Sequence, residues 1–238
     1  MMAIRMSGLR HWRVSAVDGE VGTVEDVLFD DRGWVPRYLV VETGSWLQSR
    51  AVLLSPASLR REHGDIGMLR IDATREQVRQ APDIDTEMPV SRHEELAHAA
   101  HYGYPPDWFG PMMWGAGAFP GVGPLPKMGA GEDATESEQR EAEAAANEAA
   151  ARQTHLGSGR EVLGYRVEAT DGDGGDLDDI EFDVDSWQIR ALVIDTHRWW
   201  PGGQVRVEPS MVTEIRWAEQ VVRVNATREA LKHAPRSE

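Results

Sequence analysis

The sequence predicts a mainly β protein: two small β-barrels related by an internal repeat and joined by an irregular or helical linker. Three observations predict it. Sliding the chain by 153 positions aligns residues 13–82 with 166–235 without a gap and with 24 identities. Each copy divides into short, β-branched apolar runs separated by Gly, Pro and Asp-Gly turn signals. Six short strands with turns at this spacing suit a small barrel, a closed form that leaves no sheet edge exposed. The 238 residues therefore divide into a first repeat at 8–90, a linker at 91–153 and a second repeat at 154–238.

The elements follow in order. Val14 and Ala16 lead into Asp18-Gly19, matched by Val167, Ala169 and Asp171-Gly172, and each Asp-Gly marks a hairpin because Gly tolerates the positive φ of a tight turn. Gly22 to Val27 and Gly175 to Ile180 give the next strand, and Gly33-Trp34 and Ser186-Trp187 a second turn. Arg37 to Thr43 and Arg190 to Thr196 are apolar strands, and Val52 to Leu54 and Val205 to Val207 are strands halted before Pro56 and Pro209. A last strand is expected at Met68 to Ile71 and Val221 to Val224. Thr74 and Thr227 are expected N-caps of short helices that Pro82 and Pro235 end.

The linker has two characters. Residues 102–128 are rich in Gly, Pro, Met and aromatic residues, including Tyr102, Trp108, Phe109 and Trp114. Residues 132–152 are Ala/Glu-rich with no large apolar residue, which predicts either a solvated helix or disorder. The longest uncharged stretch, 108–126, is broken by four prolines and five glycines and cannot satisfy its own backbone in lipid, so no membrane span is expected.

Composition excludes further classes. The chain has no cysteine, which rules out disulfides and thiol chemistry and fits a cytoplasmic location. A net charge of −15 opposes direct binding to nucleic acid or anionic lipid. No Walker loop, dinucleotide fingerprint or Gly-x-Ser-x-Gly elbow occurs, and no cofactor is expected.

The pattern resembles the PRC-barrel family, the small barrel shared by the photosynthetic reaction-centre H subunit and a ribosome-maturation factor. It is carried by Asp18-Gly19, Gly22 to Val27, Trp34 to Val41 and Val52 to Pro56, and again by Asp171-Gly172, Gly175 to Ile180, Trp187 to Ile194 and Val205 to Pro209. The whole second half, with Arg198 to Gly202, and the linker's Ser91 to Glu95 are similar to bacterial tandem PRC-barrel proteins. The resemblance implies a non-catalytic module that docks onto a protein partner or multiprotein complex and assists its assembly. A homo-oligomer is compatible with it. Two other classes stand beside this one: a metal-binding sensor or enzyme, and a ribosome or RNA-maturation accessory protein.

Candidate residues follow from these classes. Nine tryptophans are many for this length, and Trp and Arg dominate interface hot spots. The partner-binding candidates are Trp34, Arg37, Trp46, Trp108, Phe109, Trp114, Trp187, Arg190, Trp199 and Trp200. Trp34/Trp187 and Trp46/Trp199 recur in both copies, so scaffold is the competing reading. Arg37 and Arg190 have carboxylates as alternative partners, Asp26 or Asp30 for the first and Asp179 or Asp183 for the second. For a metal, the strongest set is His93, Glu94, His98 and His101, against a polar helix end ahead of Gly103 and Pro105. The acidic run from Asp171 to Asp179 has Asp176 and Phe182 where an EF-hand loop needs Gly and Glu, so that motif fails.

Overall fold

The computed structural model describes residues 3–31, 33–47, 49–60, 67–82, 98, 100–103, 156–183, 186–201 and 203–236. The first half runs β1 (Ala3–Arg5), α1 (Met6–Leu9), β2 (Arg13–Ala16), β3 (Gly19–Asp30), β4 (Val35–Thr43), β5 (Ala51–Leu54), β6 (Met68–Arg70) and α2 (Arg75–Arg79). The second half runs β7 (Leu156–Ser158), α3 (Gly159–Val162), β8 (Arg166–Ala169), β9 (Gly172–Asp183), β10 (Ile189–Asp195), β11 (Gln204–Val207), β12 (Val212–Arg216), β13 (Val221–Val224) and α4 (Arg228–His233). The protein is mainly β, as its sequence predicts. Trp108, Phe109, Trp114, His93, Glu94 and the Ala/Glu-rich stretch lie outside the described residues.

The two sheets have the same plan. One follows the order β5-β4-β3-β2-β6 and the other β11-β10-β9-β8-β13-β12. All neighbours are antiparallel except β2 with β6 and β8 with β13. Val14 faces Gly22 and Val167 faces Gly175, with a bulge straight after each pair. In the first half, β5 leads through a 3-10 turn (Pro56–Ser58) to Leu59, which bridges to Ile71 beyond β6. One stretch of chain thus borders both ends of that sheet.

Local chemistry sets the turns and caps. Gly19 and Gly172 have φ of 145° and 138°, the positive values their Asp-Gly turns require. Thr74 and Gln77 form a capping box: the Thr74 hydroxyl accepts from Gln77 N at 3.2 Å and Gln77 Oε1 accepts from Thr74 N at 2.8 Å. Thr227 accepts from Ala230 N at 3.1 Å in the other half.

The short strands β1 and β7 have no counterpart in the sequence reading, and they cross over. β1 pairs with β9 in the second sheet, Ala3 opposite Asp183 and Arg5 opposite Glu181. β7 pairs with β3 in the first sheet, Leu156 opposite Asp30 and Ser158 opposite Leu28. The two registers are related by the same offset of 153, so the exchange is reciprocal. β1 also lies ahead of residue 8, where the sequence reading begins the first repeat.

The exchange explains a burial pattern. From Gly22 to Glu25 β3 alternates buried and half-buried residues, then buries Asp26, Val27, Leu28 and Phe29 in succession. A bulge at Glu25 re-aims the strand, and both faces beyond it are covered by chain. A single apolar cluster runs through both halves, from Ile4, Met6 and Phe29 to Ile180, Phe182 and Leu231. A smaller second cluster (Leu28, Tyr38, Val40, Leu53 and Leu156) lies on the first half.

Candidate functional site

The paired tryptophans occupy two different settings. Trp34 and Trp187 adopt the left-handed φ of 53° and 56° at the two second turns, and are only 7% and 6% exposed. Trp34 stacks on Phe29 with ring centroids 5.1 Å apart. A left-handed conformation costs a non-glycine residue about 1–2 kcal/mol, which burying a large indole offsets. Both side chains are therefore core rather than surface.

Trp46 and Trp199 are half-buried. Trp46 Nε1 donates to Val21 O at 2.7 Å, and the Arg75 guanidinium lies 4.2 Å over its ring. Arg228 lies 4.5 Å over Trp199 in the same way. These arginines open α2 and α4, where Asp18 and Asp171 accept from their backbone N–H at 2.8 and 2.7 Å. Trp200 has no Trp counterpart; it stacks on Trp199 at 6.3 Å and has the Arg236 guanidinium 5.8 Å from its ring.

Each arginine meets one of its two expected carboxylates: Arg37 reaches Asp30 at 4.0 Å and Arg190 reaches Asp183 at 3.4 Å, while Asp26 and Asp179 hold backbone N–H and serine groups instead. Asp183 also accepts from Ser186 N at 2.8 Å, which ties the ion pair to the Trp187 turn.

Of the metal candidates, His98 and His101 are among the described residues, and each meets a backbone carbonyl. His98 is buried, with Nε2 2.9 Å from Leu53 O and its ring edge-on to Tyr38 at 5.1 Å. Burial pushes its pKa down to about 4, with the charge of His101 adding to the effect. His101 Nε2 lies instead 2.7 Å from Gln77 O. The acidic run is dispersed. Asp171 accepts from Arg228 N and Asp173 from Gly175 N, while Asp176 holds Arg198 and Asp178 holds Gln204. Among the described residues no three His, Asp or Glu side chains group as metal ligands.

Two sites escaped the sequence reading. The first is the seam. Asp26 Oδ1 accepts from Val27 N at 2.7 Å and from Arg160 N at 2.8 Å, and its Oδ2 accepts from the Ser158 hydroxyl at 2.5 Å. Asp179 accepts from Ile180 N at 2.8 Å, from Ser7 N at 3.2 Å and from the Ser7 hydroxyl. Each carboxylate thus satisfies free backbone N–H groups at the short helix of the opposite half. Burial raises the Asp26 pKa, opposed by the Ser158 and Arg160 donors. The identity of Asp26 and Asp179 across the repeat was the available signal. Trp217 adds a further crossing: its Nε1 donates to Asp31 at 2.9 Å, and Gly157 lies so close that a Cβ there would come within 2.3 Å of the ring.

The second is a cleft of about 560 Å³ lined by Ala3, Arg5, Glu181, Arg206 and Arg236. The Glu181 carboxylate lies 2.5 Å from Arg206 and 3.8 Å from Arg5. These residues come from β1, β9, β11 and the segment after α4, so no stretch of sequence announces them.

The family model of the PRC-barrel domain matches residues 3–78. No curated protein matches the chain.

Proposed function

We propose, from the premise that residues 3–78 are a PRC-barrel domain, that the chain is a tandem PRC-barrel adaptor that docks onto a protein partner or multiprotein complex without catalysing a reaction. On this reading residues 154–238 are the second barrel, related to the first by the offset of 153.

One observation carries it. The ten buried polar side chains among the described residues are all engaged in holding the fold. Asp26 and Asp179 bind backbone across the seam, and Thr43 and Thr196 donate to Arg50 O and Gly203 O. Ser55 caps a turn, Ser58 donates to Ser55 O, and His98 meets Leu53 O. Arg37, Glu181 and Asp183 sit in ion pairs. A catalytic site needs a nucleophile or base with capacity left for an incoming substrate; each of these groups has a partner in the fold, and the His98 Nδ1, which has none, is buried away from solvent. Among the surface candidates, Trp46, Trp199 and Trp200 keep partly exposed rings next to arginines, a composition favoured at interfaces.

The test is tandem affinity purification of the full chain from its native cell. Recovery of a defined protein in fixed ratio is expected. Recovery of the chain alone would overturn the reading, as would a stoichiometric, tightly bound metal in the same preparation.

A further inference from the structure

The two halves carry different chemistry at one address. On the first half, Leu28, Leu53 and Leu156 form an apolar patch beside Tyr38, and the helical segment around His98 rests on it. The residues related by the offset of 153 are Glu181, Arg206 and Ala3. They line the cleft on the second half, with Arg5 and Arg236 completing it. Thus the surface that receives a segment of the chain itself on one half is polar and concave on the other.

Three arginines and one glutamate give the cleft a charge of +2, against −15 for the whole chain. Guanidinium groups grip carboxylates in fixed, forked geometry. Glu181 already draws two of these guanidinium groups to a carboxylate, Arg206 at 2.5 Å and Arg5 at 3.8 Å. Arg236 is exposed at the cleft and lies beside the Trp200 ring, which adds an apolar rim. The strongly negative chain repels polyphosphates at long range, whereas a short carboxylate-bearing segment carries little charge beyond the cleft.

We propose that this cleft is the docking site for an acidic peptide segment of a protein partner, bound where the first half binds its own His98 segment. The proposal rests on the adaptor reading and specifies the partner's chemistry.

It is tested on the full chain by fluorescence anisotropy with a fluorescein-labelled short peptide carrying a Glu-Glu pair among uncharged residues (the Glu peptide), its Gln-Gln counterpart (the Gln peptide) and a single-stranded RNA. Saturable binding of the Glu peptide is expected, weakened by salt and about tenfold or more by Arg236→Glu or by the Gln peptide. Arg236 is exposed, and near-UV circular dichroism establishes that the variant keeps the fold. No binding, equal binding by Arg236→Glu, or tighter binding of the RNA would overturn the proposal. If the native partner co-purifies equally with the wild type and with Arg236→Glu, the cleft proposal fails while the adaptor reading stands.

Discussion

Gly22 and Gly175 sit where a neighbouring strand leaves no room for a side chain. A Cβ at Gly22 would lie 1.9 Å from Glu42 O, and one at Gly175 2.0 Å from Asp195 O. Backbone at that distance has to move, so Gly22→Ala is expected to cost roughly 3 kcal/mol or more, read from urea unfolding. Asp26 presents the opposite case, a side chain that many groups need. Asp26→Ala strands the Arg160 and Val27 N–H groups and is expected to lose about 1–3 kcal/mol. Asp26→Asn is expected to lose less than half of that, because the amide oxygen still accepts from both N–H groups and the Ser158 hydroxyl accepts from the amide nitrogen. Burial holds the Asp26 pKa above its ordinary value, so its contribution weakens as pH rises through the folded value, and the Asn variant should remove that slope.

At the scale of elements, the segment around His98 responds to pH in the other direction. Its folded pKa of about 4 lies below the ordinary 6.5, so stability is intact above pH 6.5 and lost as pH falls toward 4. The full span corresponds to on the order of 3 kcal/mol. The expected first consequence is undocking of this segment from β5, seen as faster proteolysis at residues 98–103 near pH 5 than near pH 7. His98→Phe should abolish the difference. The elements also mark how far the sequence was legible. Asp-Gly turns, Thr caps and strands ended by Pro each have a local cause, and each was found in the sequence. β1 and β7 are three residues long, and their only reason to be strands is an edge offered by the opposite half. No local pattern carries that information. The cleft was hidden for the same reason, since four separate segments build it. Trp34 and Trp187 were legible as duplicated positions, but their depth follows from left-handed turns that fold the indoles inward.

For the whole molecule, the exchange makes the halves interdependent. A protease site placed within residues 132–152 and cut is expected to leave both fragments co-eluting in gel filtration at the size of the intact protein. Fragments that separate under native conditions would show that the crossed strands and the two aspartates are insufficient to hold the halves. A joined core also predicts one unfolding transition, with calorimetric and van't Hoff enthalpies equal, where independent barrels give two. The reciprocal exchange has one more consequence, in the numbers of molecules an assembly contains. Two identical barrels crossing strands in this way would present every outer face twice and recruit partners in pairs. Joined in one chain, the halves have diverged, Leu28 and Leu53 on one and Glu181 and Arg206 on the other. The molecule keeps the mutual bracing of a symmetric pair but offers each of these faces once, so on the proposed adaptor reading one chain brings a single copy of the cleft to an assembly, where a symmetric pair would bring two.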